Sequence, residues 1–417
     1  KKEKVFQHFE NRILIRYTLL DAHSATTLRL RPFLAFRSVE ECTHENSGAS
    51  RKYDLIDNGI KTRMYAGYPE LMMQLNKKNE FVYEPNWYRG IEYQKEQELG
   101  YDYREDLYVP GYFEFDIKKG ESVVFAAGLS ELKTNQMKKI FDHEYDVHVP
   151  RNNFQSCLVN AAHQFHYERE GETYIIAGYP WFKCRARDMF VSLPGLTLAI
   201  EEVEYFEKAM KTAVKALNAF MDGTESNIMM YEMEKPDVLL WAVWCIQQYA
   251  RLVSVDAAIE KYGKLVNKIV DFIRQSKHPN LLLHDNGLLF TNGREHAVTW
   301  MNSEVHGVPV VPRSGYVVEI NALWYNALLF NAEMLMVKGR HAEAGAYTQQ
   351  ADITGKSFKE TFLNEHGYLL DYVDEGYISW EVRPNMLIAS SLEYSPLTTP
   401  ERKKIFDICT KELLTPK

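Results

Sequence analysis

No apolar run in this sequence of 417 residues approaches the roughly 18 residues that a membrane-spanning helix needs. Cysteine is scarce: the five cysteines are scattered and form no C-x-x-C pair, so neither a disulfide framework nor a structural zinc site is expected. His284, His296 and His306 share one region, but their spacings of 12 and 10 residues fit no compact metal-ligand motif. We therefore expect no metal, no cofactor and no membrane span.

Acidic residues outnumber basic ones. The sequence has 49 basic and 57 acidic residues, a net charge of −8, and no long basic run. Nucleic acid is therefore not expected as a partner. The sequence contains no P-loop, dinucleotide-binding or Gly-x-Ser-x-Gly fingerprint. It begins at Lys1, not Met, and shows no signal peptide, so either the start was processed or the sequence is a piece of something longer. The compartment is unknown; we favour the cytoplasm, with the periplasm as the alternative.

Residues 1–128 are predicted to form an antiparallel β-sandwich. Segments rich in β-formers, including 12–17, 27–32 and 122–125, are separated by turn signals. The stretch 83–112 is rich in acids and tyrosines, and we interpret it as a long ordered loop because it is too polar for a plain run of strands.

Residues 129–417 are predicted to be helical. Apolar residues recur with a period of about 3.6, on one face from Leu196 to Phe220 and on another from Ile259 to Ile273. Further helices are expected near 130–146, 151–166, 236–254, 319–338, 341–364 and 400–414, with short β-like excursions at 167–181, 280–300 and 365–380. Helix pairs joined by elaborate loops on one side indicate an α/α toroid with its site on the loop-bearing face.

Several sequence blocks have the order and spacing of a known family. They are Leu28–Arg37, Gly178-Tyr179-Pro180-Trp181-Phe182, Arg187-Asp188, Ser192–Leu196, Thr299-Trp300-Met301, Pro312-Arg313, Glu319–Asn326 and Arg383-Pro384-Asn385. On these residues the sequence resembles the bacterial glycogen debranching enzyme, or amylo-α-1,6-glucosidase, family across nearly its whole length. The resemblance implies a β-sandwich followed by an (α/α)6 barrel of the six-hairpin glycosidase type. It also implies inverting hydrolysis of α-1,6 branch linkages in an α-glucan or related oligosaccharide.

Two departures from the family pattern concern the catalytic carboxylates. The Thr-Trp-Met block of the family continues with Asp, its general acid, whereas this sequence has Asn302. The sequence also stops before the C-terminal blocks that supply the family's base. We therefore expect it to be a piece of a longer protein at both ends, with a toroid that lacks its last hairpins.

Three residues are candidates at the acid position. An amide has no transferable proton, so Asn302 cannot act as the acid that inverting hydrolysis requires. Glu304, two residues further on, and Glu319, beyond the next loop, are substitutes by position, although a structural or substrate-orienting role explains each of them better.

The substrate-binding candidates are aromatic, charged and amide side chains. Trp181 and Trp300 offer flat surfaces for pyranose rings, with core packing as the alternative. Charged side chains bind sugar hydroxyls through charge-assisted hydrogen bonds. A buried ion pair at a helix start would explain Arg187 and Asp188 equally well from their spacing alone. Arg313 is a candidate of the same charged kind, and Asn321 is a further one. The resemblance places Asp237 and Trp241 at the border of the sugar pocket, although an acid at a helix N-terminus, favoured by the helix dipole, explains Asp237 equally well.

Two classes of function follow from these residues. One is a glycoside hydrolase that acts on an α-glucan and has its acid displaced to a neighbouring carboxylate. The other is a carbohydrate-binding protein on a hydrolase scaffold that is inactive because Asn302 replaces the acid.

Overall fold

The N-terminal strands form two antiparallel sheets. A computed structural model of the chain describes residues 1–8, 10–147, 149–179 and 181–415. The strands are β1 (Lys2–Phe6), β2 (Arg12–Thr18), β3 (Thr26–Leu30), β4 (Tyr53–Ile56), β5 (Gly59–Thr62), β6 (Leu71–Leu75), β7 (Glu80–Glu92), β8 (Arg104–Ile117) and β9 (Ser122–Gly128). A six-stranded sheet has the order β1-β2-β9-β6-β5-β4, and a three-stranded sheet has the order β3-β8-β7.

The two sheets share one apolar core. Ile60 and Met73 from the first sheet and Phe113 and Phe115 from the second are buried in the same cluster. Alternating apolar residues face inward along these strands, as expected for sheets with one solvated face. The predicted antiparallel β region is confirmed.

The interpretation of 83–112 as a loop is wrong. This stretch supplies most of β7 and β8, which pair over their length and are separated by a short helix, α1 (Gln94–Glu98). β7 is an edge strand with one solvent face, so it carries the polar residues that made the stretch look unlike a strand. The inward positions are apolar, and Trp87 faces Tyr108 in the buried core.

The remaining helices cover most of the rest of the chain. They are α2 (Met137–Val147), α3 (Phe154–His163), α4 (Ala186–Leu196), α5 (Val203–Asp222), α6 (Val238–Leu252), α7 (Val255–Arg274), α8 (Val318–Val337), α9 (His341–Phe362), α10 (Asn385–Ser391) and α11 (Thr399–Leu413). The chain divides into two compact units, Lys1–Asn160 and Ala161–Lys417. None of the helices that the structure describes is long and apolar enough to cross a membrane.

One predicted helix face is divided between two helices. The apolar positions from Leu196 to Phe220 do not lie on one helix, because α4 ends at Leu196 and α5 starts at Val203. Thr197 at φ −134° and Glu201 at φ +66° leave the helical region of backbone conformation, which stops the helix on both sides of a short 3-10 turn.

Eight helices of the second unit follow one another as four consecutive pairs, α4 and α5, α6 and α7, α8 and α9, and α10 and α11, and the partners of the last three pairs pack together. α8 has apolar side chains distributed around its axis and buries 15 of its 20 residues, which is typical of an inner helix. In contrast, α7 is amphipathic and buries only the predicted face, from Ile259 to Ile273. The even-numbered helices α4, α6, α8 and α10 therefore form the inner layer, where each packs against the next.

The inner helices α6, α8 and α10 run in the same direction. Asn326 in α8 donates to Gln247 in α6 at 2.8 Å. Further towards the C-terminus of both helices, Glu333 of α8 pairs with Arg251 of α6. Tyr394, just after α10, donates its backbone N–H to Asn326 at 3.2 Å and its hydroxyl to Glu333 at 2.9 Å. The N-terminal ends of these helices consequently lie at one end of the unit, here called the N-terminal face.

Short strands organise the loops of this unit. They are β10 (His166–Arg169), β11 (Glu172–Ile175), β12 (Leu282–Leu283), β13 (Leu289–Thr291), β14 (Glu304–Val305), β15 (Val308–Pro309), β16 (Gly315–Val317), β17 (Tyr372–Asp374) and β18 (Tyr377–Ile378). They confirm the predicted β-like excursions. In the sheet β12-β13-β16-β17-β18, β16 leads into α8 and pairs with β17 of the loop before α10. This sheet therefore joins the loops before two inner helices.

Candidate functional site

Arg187 and Asp237 form a buried ion pair at the starts of α4 and α6. Arg187 lies in the first turn of α4, and Asp237 is the residue before the first turn of α6. Arg187 Nε donates to both carboxylate oxygens, at 3.0 and 2.7 Å, and Nη2 donates to Oδ1 at 2.9 Å. Burial lowers the pKa of Arg187, but the Asp237 carboxylate outweighs it and the net shift is upward. Trp241, one turn into α6, donates its indole N–H to Asp237 at 3.2 Å.

Arg313 is the centre of a second, larger buried cluster. Its Nε donates to Asp371 Oδ2 at 2.9 Å, and its Nη2 donates to Asp371 Oδ1 at 2.7 Å and to Glu319 Oε2 at 2.6 Å. Its Nη1 donates to Glu319 Oε1 and, at 3.0 Å, to the Thr299 hydroxyl. All four residues are buried. Bidentate pairs of this kind fix the geometry of both carboxylates as well as neutralising charge.

Two buried carboxylates face one guanidinium in this cluster. Burial raises the pKa of Asp371, the Arg313 charge opposes that shift, and the net direction is upward. For Arg313 burial lowers the pKa, but Glu319 and Asp371 raise it by more. Arg383 lies nearby, with Nε 3.2 Å from Asp371 Oδ2. The second cation offsets part of the excess negative charge.

The cluster extends to a surface tryptophan. Asn385, buried at the start of α10, donates its amide to Asp371 Oδ1 at 2.7 Å. Its amide oxygen accepts the indole N–H of Trp300 at 2.8 Å. Trp300 itself is 46% exposed. A hydrogen-bonded chain therefore runs from the buried Arg313 cluster to an aromatic ring that faces solvent.

Strand pairing explains why Asp371 meets Glu319. Tyr316 of β16 faces Val373 of β17, and Val318 donates its backbone N–H to the Asp371 carbonyl at 3.1 Å. The register of this short ladder places Asp371 beside the first turn of α8, which contains Glu319.

Two of the three candidates at the acid position, Asn302 and Glu304, lie on the surface, whereas Glu319 is buried. Asn302 is exposed in the loop after Trp300, and its backbone N–H donates to the Trp300 carbonyl at 3.0 Å. Glu304 is exposed in β14, and its Oε1 lies 3.4 Å from the backbone N–H of Ala297, which donates to it. Lys235, close to Asp237 in sequence, donates to the carbonyl of the same Ala297 at 3.2 Å. This contact joins the loop before α6 to the loop that contains Asn302 and Glu304.

The other predicted site residues divide into exposed and buried ones. Trp181 is 52% exposed and Asp188 is exposed in the first turn of α4, whereas Pro180 of the same motif lies outside the described residues. Asn321 is buried, accepts from the Leu289 N–H at 2.7 Å, and donates to the carbonyls of Leu289 and Val317, both at 3.1 Å. This amide joins α8 to β13.

The sequence from 155 to 417 matches the family model of amylo-alpha-1,6-glucosidase. The chain belongs to the amylo-alpha-1,6-glucosidase family. Residues 1–124 match a second model, the N-terminal region of glycogen debranching enzyme. The expected family is therefore confirmed. Among curated proteins, none matches this sequence.

The chain is similar in fold to a solved glucoamylase structure. A bacterial glucoamylase complexed with acarbose is 13% identical and aligns over 99% of this chain and 65% of its own, with a TM-score of 0.56. This chain thus spans about two thirds of the length of that glucoamylase, and the likeness shows a common fold. A GH78 family rhamnosidase of Bacillus sp. GL1 is 11% identical over 87% of this chain and 39% of its own, with a TM-score of 0.47.

Sequence reasoning missed two residues of this amylo-alpha-1,6-glucosidase family member. Asp371 and Asn385 complete the Arg313 cluster, yet neither was singled out for a role. Asn385 ends the Arg383-Pro384-Asn385 block that contributed to the resemblance, so a signal was present. Asp371 lies 58 residues after Arg313 in an unremarkable apolar stretch, and only the pairing of β16 with β17 brings the two together.

Within the described residues, no group of three or more acid, histidine or cysteine side chains is arranged to hold a metal ion.

Proposed function

We propose that the protein is an inverting glycoside hydrolase that cleaves α-1,6-glucosidic branch linkages of an α-glucan. The observation that carries the proposal is the loop 299–304 of this glucosidase-family chain. It combines an exposed Trp300, anchored to a buried ion-pair cluster, with the acid position at 302 and the neighbouring Glu304. An exposed ring suits sugar binding, and Glu304 supplies one of the two carboxyl groups that inverting cleavage requires.

Glu304 is the general acid in this proposal. Inverting hydrolysis needs a protonated carboxyl group at the leaving oxygen and a carboxylate that activates water, roughly 6.5–9.5 Å apart. Asn302 lacks the proton, and Glu304 is the exposed carboxyl group two residues away. Both oxygens of Glu319 accept from Arg313 inside the protein, so we assign Glu319 a supporting role instead of a catalytic one.

The sugar is held by rings and charges at the N-terminal face. Trp181 and Trp300 stack on pyranose rings, at a gain on the order of 1 kcal/mol per ring. Asp188, exposed beside Arg187, accepts hydrogen bonds from sugar hydroxyls. The Arg187–Asp237–Trp241 and Arg313–Glu319–Asp371 clusters hold the loops around the sugar, and Asn321 fixes α8 beneath them.

The proposed architecture is an (α/α)6 toroid. The four helix pairs from α4 to α11, with parallel inner helices and elaborate loops before them, support it. We retain the predicted division into an N-terminal β-sandwich at 1–128 and a catalytic part at 129–417, although the compact unit that contains the sheets extends to Asn160.

A carbohydrate-binding protein without catalysis is the second candidate. The specific observation in its favour is the amide of Asn302 at the position of the family's acid. In that case Trp181 and Trp300 bind a glucan, and no bond is cleaved.

Glucose release from a branched α-glucan by the full-length protein tests the proposal. Inversion at an α-linkage yields β-glucose first, which NMR distinguishes from the α-anomer before the two equilibrate. Release of α-glucose would contradict inversion. Glucan binding without release would support the second candidate, and the absence of both would reject the two together.

A further inference from the structure

Three of the seven tryptophans are exposed, and each lies in a loop that leads to an inner helix. Trp181 precedes α4, Trp300 lies in the loop before α8, and Trp380 precedes α10. Trp380 is 47% exposed, close to the values for the other two. Large aromatic side chains usually bury most of their surface, so half-exposed rings in corresponding loops need an explanation.

The backbone around Trp380 is fixed although its ring faces solvent. The preceding residue, Ser379, donates its N–H to the Tyr372 carbonyl at 3.0 Å and accepts from the Asp371 N–H at 3.1 Å. The carbonyl of Trp380 accepts the Tyr368 hydroxyl at 3.3 Å. A ring on a fixed backbone loses little conformational freedom when a ligand binds to it.

Asp371 anchors two of the exposed tryptophans. Its side chain holds Trp300 through the amide of Asn385, and its backbone N–H holds the residue before Trp380. One buried residue thus fixes the positions of two surface rings in neighbouring loops.

Two further rings lie beside Trp380. His366 has its ring centroid 6.3 Å from that of Trp380, and it stacks on Tyr368 at 6.2 Å with 14° between the planes. The cluster of His366, Tyr368 and Trp380 offers flat apolar surfaces with polar edges. This combination matches a glucose ring, which presents C–H groups on its faces and hydroxyls around its rim.

We propose that Trp380, with His366 and Tyr368 beside it, is a second platform of the sugar site. It holds a different glucose residue of the same α-glucan chain from the one that Trp300 holds. This inference rests on the proposed function, because it assigns part of the same substrate to a new residue. The glucosidase family match, together with two exposed rings held through the same Asp371, favours a continuous oligosaccharide as the occupant over a protein partner.

Calorimetric titration of the full-length protein with maltose and maltoheptaose tests this platform. Trp380→Ala should weaken maltoheptaose binding about fivefold and leave maltose binding within about twofold of the wild type. Trp380→Phe keeps a ring and should retain most of the affinity for maltoheptaose, whereas Trp380→Leu keeps only an apolar side chain and should not. Phe406→Ala is the matched control, since Phe406 is an exposed ring on α11 and should not affect either sugar.

The outcomes separate this inference from the proposed function. If maltoheptaose binds to Trp380→Ala and Trp380→Leu as tightly as to the wild type while Trp300→Ala loses affinity, the Trp380 platform is wrong and the proposed function stands. If the wild type binds neither sugar, both are rejected. An equal loss of maltose and maltoheptaose affinity in Trp380→Leu would show that Trp380 does not hold a separate glucose residue.

Discussion

Trp300 donates its indole N–H to the side-chain oxygen of Asn385 over 2.8 Å, across 85 residues of sequence. The two side chains have opposite surroundings, since the ring is half-exposed and the amide is buried. Because the Asn385 amide also donates to Asp371, the orientation of the surface ring depends on a carboxylate inside the protein.

Replacing Asn385 should therefore weaken sugar binding through Trp300. Asn385→Ala removes the acceptor for the indole, and we expect maltoheptaose affinity to fall about threefold to tenfold. In a Trp300→Phe background, which has no indole N–H, the same replacement should have much less effect. Calorimetric titration of the four proteins of this double-mutant cycle measures the coupling. Ser390→Ala on the same helix is the control, and equal losses from Asn385→Ala in both backgrounds would disprove the coupling.

Arg313 should be among the residues most important for stability. Arg313→Met leaves Glu319 and Asp371 buried without their main cation, and we expect the free energy of unfolding to fall by about 3–5 kcal/mol. Arg340→Met is the comparison, because the pair of Arg340 with Glu343 is exposed and such pairs contribute roughly 0–1 kcal/mol. Urea unfolding measures both. Similar losses in the free energy of unfolding of the two variants would show that the buried cluster stabilises the fold no more than an exposed ion pair does.

The identity of the general acid can be decided by two substitutions. If Glu304 is the acid, Glu304→Gln should lower glucose release by about 10²–10⁴-fold and Asn302→Asp should change it little. If the wild type is inactive only because of the amide, Asn302→Asp should raise α-1,6-glucosidase activity by at least about tenfold. Initial rates of glucose release by the full-length protein distinguish these results. No activity in the wild type or in Asn302→Asp, despite sugar binding, would leave only the carbohydrate-binding candidate.

Acid should destabilise the helical unit through His278. Burial lowers the pKa of His278 from 6.5 to about 4, where its ring packs against Phe220 and Phe272. Between pH 6.5 and 4 the unfolded chain therefore binds a proton that the folded chain does not, so stability falls as the pH falls through this window. A shift of this size corresponds to about 3 kcal/mol.

The measurement for His278 is the free energy of unfolding at several pH values. His278→Leu should flatten the dependence between pH 6.5 and 4 while leaving other acid-sensitive groups unchanged. His366→Leu is the control, because the His366 side chain is 64% exposed. An unchanged slope in His278→Leu would show that another group causes the acid sensitivity.

The sequence was most informative where a pattern is local. The helix periodicity from Ile259 to Ile273 and the β-formers at 12–17 predicted elements that the structure contains. The stretch 83–112 was misread because the polarity of an edge strand depends on which neighbours it has, and those neighbours come from distant sequence.

The same limit applied to the site. Arg187 and Arg313 were candidates because of their sequence blocks, but their partners Asp237 and Asp371 lie 50 and 58 residues away. Spacing alone suggested that Arg187 might pair with the adjacent Asp188. Instead Asp188 points to the surface side of α4, since neighbouring residues on a helix face different directions. Only the packing of α4 against α6 brings Asp237 to Arg187.

The common direction of the inner helices has an electrostatic consequence. Each helix carries roughly half a positive charge at its N-terminal end, and α6, α8 and α10 present these ends to the same face. The transition state of glycoside hydrolysis is itself positively charged, so such a scaffold alone would repel it. Asp237 at the start of α6, Glu319 at the start of α8 and Asp371 beside them place carboxylates at these positive ends, so the buried Arg187 and Arg313 do not add their own charge to that of the helices.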